Sequence, residues 1–351
     1  MTMSQVIIPS PQTPWAISIK QRLNTAGLIA LGAILAGLVV KTTGLSGKLG
    51  FSVSFFFIAS FLIFAQQYRL RDLAAAKDSL LSSFATLAIA LTLIPILSIV
   101  GTVVVKGYKG VNFGMFTNDM TMAGVNDPVT SGGLLHALIG TLIMVGGALL
   151  VSFPIGLLTA LYLTEIRGSL SRPIKFLVQA MSGVPSIVAG LFILSILIIP
   201  ITQEQTGLMG SLALSILMIP TIARTAEEML LLIPNDLREA GVALGATQWR
   251  TVSGVVVPAA KSGLVTAIIL GVARIIGETA PLLLVSGGAD AVNLNPTSGA
   301  MGSLPYYIWK AFLTGGTEEA YQRAWGGMLI LLIVIILLFS LARYFSGRKV
   351  A

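Results

Sequence analysis

The sequence predicts an all-α fold: a polytopic helical membrane protein. Three observations carry this. Of 351 residues, 55% are hydrophobic and only 10% are charged, against about 25% charged in an ordinary soluble domain. The apolar residues gather in long runs, as spanning helices require, and not in the short alternating segments of a membrane barrel. Basic residues collect on alternate sides of those runs, as the positive-inside rule requires.

Eight spans are expected, at 24–40, 49–66, 83–105, 134–163, 174–200, 207–230, 262–286 and 325–343. A bilayer crossing takes about 20 apolar residues, so the first two are near the lower limit. The N-terminal stretch "MTMSQVIIPSPQTPWAISIKQRLN" has its basic residues late, and no small-residue cleavage site follows a short apolar core, so the first span reads as a retained helix. With the N-terminus placed inside, fourteen Lys and Arg fall in inside segments and six in outside loops. The remaining two, Arg224 and Arg274, lie in or near spans. Both termini are therefore expected in the cytoplasm, and the net charge of +8 reflects membrane topology; nucleic-acid binding is not expected. With no cysteine, disulfides and thiolate metal sites are excluded. His136, the single histidine, stands at an outside helix start and reads as solvated.

The connections differ in character. The outside loops 106–133 and 287–324 are rich in Gly, Asn, Thr and Asp, as surface loops are. They either dock a partner or join helices. Pro154 and Pro220 read as helix kinks, and Gly183-Val184-Pro185-Ser186 interrupts the fifth span. The inside loop 231–261, "LLIPNDLREAGVALGATQWRTVSGVVVPAAK", holds two proline-bounded pieces. Asn235 or Asp236 can cap a first short helix, with Leu237, Ala240, Val242 and Leu244 as its apolar surface. Gly245 can end it, and a second helix can run from about Thr247 toward Pro258. Such a loop either meets another protein or anchors itself at the interface.

The spacing inside that loop resembles a known pattern. Glu239-Ala240-Gly241, three residues, Gly245, nine residues, then Val255-Val256-Val257-Pro258 is similar to the EAA loop of ABC-importer permeases, E-A-A-x3-G-x9-I-x-L-P. Gly replaces the third residue, and Val replaces Ile and Leu. The stretches 132–168, 182–194 ("SGVPSIVAGLFIL"), 224–260 and 273–284 ("ARIIGETAPLLL") further resemble phosphate-importer permeases, and "RTAEEML" and "GETAPLL" resemble the PstA type more than the PstC type. The resemblance covers roughly residues 80–345.

The resemblance implies a MetI-like six-helix core at 80–345, preceded by an N-terminal extension at 1–79 with two extra spans and followed by a cytoplasmic tail at 346–351. It implies a non-enzymatic permease subunit in the cytoplasmic membrane, forming half of a pore for inorganic phosphate. The implied partners are a PstC-type permease, two copies of a PstB-type ATP-binding subunit and a PstS-type phosphate-binding protein. ATP and Mg would be bound by the ATP-binding subunit and no cofactor by this chain, which has no G-x-x-x-x-G-K-[ST] loop. Other readings are the same fold for molybdate, tungstate or sulfate, an ATP-independent anion channel or secondary transporter, and a membrane-embedded enzyme. The last lacks clustered Asp, His or Ser at a membrane face.

Candidate site residues follow from both sources. Glu239, Ala240, Gly241, Gly245 and Pro258 would couple to the ATPase. Arg274 and Glu278 stand i, i+4 in an apolar run, so one helical face would carry them as a pair, which lowers the cost of a charge at mid-bilayer. They line the anion path or fix helix packing. Arg224 suits a phosphate oxygen but is equally a structural arginine that snorkels or pairs with Glu227 or Glu228. Ser186 meets the anion at the broken span, or the break is a packing kink with Gly183 and Gly190 at helix contacts.

Overall fold

The computed structural model describes residues 19–44 and 47–346, which are mostly helical. Residues 1–18 of the expected extension, and the expected tail beyond Ser346, lie outside the described residues. The chain packs as two units, 1–99 and 100–351.

The first unit contains α1 (Ile19–Thr42), α2 (Gly47–Leu70) and most of α3 (Leu73–Gly107). Gly32 lets α1 approach the backbone of Ala59 on α2. Helix α3 runs unbroken through position 79/80 and carries residues of both units.

In the second unit α4 (Leu135–Leu161) continues to Ile166 in a wider turn that closes with Arg167 N–H on Tyr162 O. Helix α7 (Gly207–Leu231) is its centre. Two thirds of its apolar window is buried, 67%, against 33% or less for the other candidate spans. Small residues allow this. A Cβ at Gly156 of α4 would collide with Ile222 of α7, so the two helices touch closely, as membrane helices do through small side chains. Pro154 and Pro220 sit inside α4 and α7 without ending either helix.

Two expected spans are broken. Residues 174–200 are not one helix: α5 (Ser171–Ser182) and α6 (Ser186–Ile193, continuing to Thr202) meet at 105°. Pro185 is the cause. It lacks an N–H, disfavours helical backbone at Val184, and stands extended as the cap before Ser186. At twelve residues, and carrying Arg172 and Lys175, α5 is too short and too charged to cross a bilayer. The apolar part of the expected span is 186–202. Residues 262–286 likewise divide, into α11 (Lys261–Ile275) and α12 (Ala280–Val285). The remaining span is α14 (Glu318–Ser346).

The two long loops are more than connections. Loop 287–324 contains α13 (Leu304–Thr314), whose N-terminus is capped by the Ser303 hydroxyl accepting from Tyr306 N–H. Loop 106–133 meets it through Met120 N–H on Asp290 O and Val292 N–H on Asp119 Oδ2. Met115, Met120, Leu134, Leu304 and Tyr307 form a common core, so the loops make one folded cap.

Candidate functional site

The cytoplasmic loop builds a small platform. Helix α8 (Asn235–Ala243) begins after Pro234, which takes the cap position that Asn235 or Asp236 was expected to fill. The extended backbone fixed by Pro234 starts the helix, and no side-chain cap bond is made. The other end follows expectation. Gly245 is left-handed (φ +79°), its N–H donates to Val242 O, and Ala246 N–H donates to Gly241 O, which closes α8 as a Schellman turn. Next come α9 (Gln248–Thr251), a wider turn over Val252–Val256, and α10 (Val257–Ala259), with Thr247 Oγ1 accepting from Arg250 N–H at the start. Pro258 lies in α10, just before a 71° bend into α11.

Glycine at position 241 has a steric reason. It is buried, and a Cβ there would lie 2.5 Å from Thr251 Cγ2, so α8 rests directly on α9. This leaves Glu239, Ala240, Val242 and Leu244 exposed on the other side, joined by Trp249 at 67% exposure. The platform is held by a contact that sequence reading missed. Arg238 forks onto Glu165 at the end of α4, with Nη2 to Oε1 at 2.9 Å and Nε to Oε2 at 3.1 Å. Its remaining donors reach Ile233 O and Leu230 O at the end of α7. Gln248 Nε2 donates to Glu165 O from the far side. Glu165 lies 73 residues from Arg238, beyond any periodicity.

The two helix breaks sit together. A Cβ on Gly190 of α6 would stand 2.8 Å from Pro281 Cα of α12, so the helices touch backbone to backbone there. Ser186 is one turn before that contact and Glu278 three residues before it. Glu278 is not on the same helix as Arg274, as i, i+4 spacing had suggested, because α11 ends at Ile275. The pair forms all the same: Arg274 Nη1 donates to Glu278 Oε1 at 2.8 Å, the arginine side chain 45% exposed and the glutamate 15%. Among the described residues that bond is the one hydrogen bond of the Arg274 guanidinium. Met229 meets Gly263 and Ile222 meets Gly271, so α7 and α11 run antiparallel. That register places Arg274 level with the middle of α7. Gly183, in contrast to Gly190, meets only the carbonyl of Ala180 and is no helix contact.

Residues 152–350 match the family described as binding-protein-dependent transport system inner membrane component. The chain is 38% identical over 278 residues to phosphate transport system permease protein PstA 1 of Mycobacterium tuberculosis (strain CDC 1551 / Oshkosh), covering 78% of this chain and 90% of that one. It is 33% identical over 275 residues to PstA of Pasteurella multocida (strain Pm70), covering 78% and 95%. The chain belongs to this permease family, among its PstA-type members. A solved structure of the MetNI methionine ABC transporter overlays with a TM-score of 0.47 at 21% identity, over 62% of this chain and 92% of that one.

Arg224 of the permease does not share the site of Arg274. By the helix register it lies about six residues nearer the α8 end of α7, roughly 9 Å along the axis at 1.5 Å per residue. It is exposed, and it lines a cavity of about 140 Å³ with Lys175, Gln179, Glu227 and Glu228. Its expected pairing with Glu227 is not made, because Glu227 is taken by Lys175 of α5 at 3.1 Å. Among the described residues no ion pair joins Arg224 to Glu228 either.

The permease's cap corrects a further expectation. His136 is buried at 3% exposure, stacked edge-on against Tyr307, and is not solvated. Loop 287–324 folds over it, with Gly302 at its ring. Arg323, which looked like an ordinary loop charge, is completely buried and donates Nη2 to the carbonyls of Asp127, Pro128 and Ser131. Burial also raises the Tyr307 hydroxyl above its ordinary pKa. On the cap surface, the Thr121 hydroxyl on Asp119 Oδ1 holds that carboxylate below its ordinary value.

Proposed function

We propose that this permease imports inorganic phosphate as one half of an ATP-driven pore. The observation that carries the mechanism is the state of Arg274: a mid-depth guanidinium, half exposed, with one bond to protein and the rest of its fork available. Guanidinium binds phosphate oxygens through paired N–H donors. Glu278 competes for the same group, which keeps the site weak enough to release the anion. The helix breaks beside it, at 183–185 and 276–279, leave backbone and the Ser186 hydroxyl near that level, as substrate sites between discontinuous helices do. The names of the relatives support phosphate as the substrate.

The EAA-spaced platform supports the coupling role. Its exposed face of Glu239, Ala240, Val242, Leu244 and Trp249 fits a groove on an ATP-binding subunit, and its clamp through Arg238 and Glu165 would pass movement to α4 and α7 as a rigid body. In this reading two PstB-type subunits bind ATP and Mg, a PstC-type permease supplies the other half of the pore, and a PstS-type protein delivers phosphate to the cap. The chain itself does no covalent chemistry. Both termini face the cytoplasm, by the distribution of Lys and Arg.

Reconstituting the complex with its binding protein tests substrate and coupling together. Phosphate should stimulate ATP hydrolysis, with molybdate and sulfate much less effective. Equal stimulation by sulfate would overturn the phosphate assignment. Cysteines at Ala240 and Ala243 should crosslink to the ATP-binding subunit, and absence of any crosslink in the intact complex would overturn the coupling assignment.

A further inference from the structure

The first unit has an open cleft of about 940 Å³ lined by α1, α2 and α3. None of its lining residues belongs to the proposed anion path or to the α8 platform. Its lining follows an order along α2: Arg71 just past the helix end, Gln67 and Gln66 next, Ser60 deeper, then Phe56 and Phe55. With Leu70, Ile63 and Ser52 also in the lining, the charge and the amides gather at one end and the phenylalanines toward the other. Leu87 and Ala90 of α3 continue the apolar end, while Asp78 stands on the rim with Arg71.

Two details set this cavity apart from ordinary loose helix packing. Ser60 is 5% exposed and lines the cavity, yet its hydroxyl has no hydrogen-bond partner among the described residues. Of the neighbouring hydroxyls, Ser79, Ser83 and Thr86 each donate to a carbonyl of their own helix. The Ser60 donor is thus available to an oxygen from an occupant. In addition, Arg71 and Asp78 share one rim, and among the described residues neither is in an ion pair. A cation and an anion that line one cleft without pairing with each other can meet a ligand that carries both charges.

We infer that this cavity binds a phospholipid with an ammonium-bearing headgroup, of the phosphatidylethanolamine class. Arg71 and the Gln66 and Gln67 amides meet the phosphate, Asp78 meets the ammonium, Ser60 donates to an ester oxygen, and the acyl chain lies along Phe55, Phe56 and Leu87. In the orientation proposed above, the rim lies in the cytoplasmic leaflet.

Native mass spectrometry of the assembled transporter, after delipidation and exposure to phosphatidylethanolamine or phosphatidylglycerol, tests this without any transport readout. The wild type should retain phosphatidylethanolamine in preference. Asp78→Asn should lower that retention selectively, while Arg71→Gln should lower both lipids by about fivefold, the effect of one basic residue at a membrane surface. Ser60→Leu should exclude lipid by filling the cleft. Asp78 and Arg71 are exposed, so their variants keep the test decisive if Ser60→Leu fails to assemble. No retained phospholipid, equal retention in all variants, or a cysteine at Ser83 that crosslinks to another protein chain and not to lipid would overturn the assignment.

Discussion

Two arginine–glutamate pairs of the permease core are built in opposite ways. Arg238–Glu165, on the α8 platform, has side chains only 18% and 8% exposed, and the guanidinium spends its remaining donors on carbonyls at the end of α7. Arg274–Glu278, at the α11 break, makes one bond and leaves the arginine 45% exposed. The same two residue types therefore give a strut in one place and an available ligand in the other. What separates them is the supply of further acceptors. A helix C-terminus offers carbonyls to Arg238, whereas the break after α11 offers Arg274 nothing but Glu278.

The contrast can be broken from either side. The largest effect is expected at the available pair. Arg274→Gln should reduce phosphate uptake to background in vesicles, while the complex still assembles and purifies at wild-type yield. Normal uptake by that variant would make Arg274 a second strut. Next in size, Arg238→Met should strand the buried Glu165 carboxylate and destabilise the platform by about 3 kcal/mol, the usual loss on breaking one side of a buried ion pair. It should lower the thermal stability of the complex, and the double variant with Glu165→Gln should recover part of that loss. A thermal midpoint unchanged by Arg238→Met would show that the strut carries no load. The smallest effect is expected at Gly245→Ala, which forces a side chain into a left-handed turn at a cost of about 1 kcal/mol. Its reading is a modest drop in ATPase stimulation with assembly preserved, since nothing stands near the added methyl.

Much of this was legible in the sequence, residue by residue. Hydropathy located α1, α2, α3, α4, α7 and α14, because a bilayer imposes a minimum apolar length whatever the neighbours. Spacing located Gly245 and the start of α9 at Thr247, because turns and caps are local. Where the reading fell short, the deciding force was not local. Pro185 announced a kink, but whether the chain bends slightly or turns through 105° depends on α5 finding an amphipathic place beside α7. His136 looked solvated because nothing nearby in sequence covers it, and the cover comes from residues some 165 positions later.

The sequence by itself determined the class, the six long apolar helices and the Glu-Ala-Gly spacing of loop 231–261. Each is a property of composition or of contacts within about twenty residues. Tertiary structure alone decided which arginine is spent and which is available, why position 241 must be glycine, and that the breaks at Pro185 and at 276–279 meet through Gly190 and Pro281. Those outcomes depend on which acceptors and backbones a distant segment brings to the spot. A one-dimensional pattern fixes what each residue can bond, and packing fixes what it finds there.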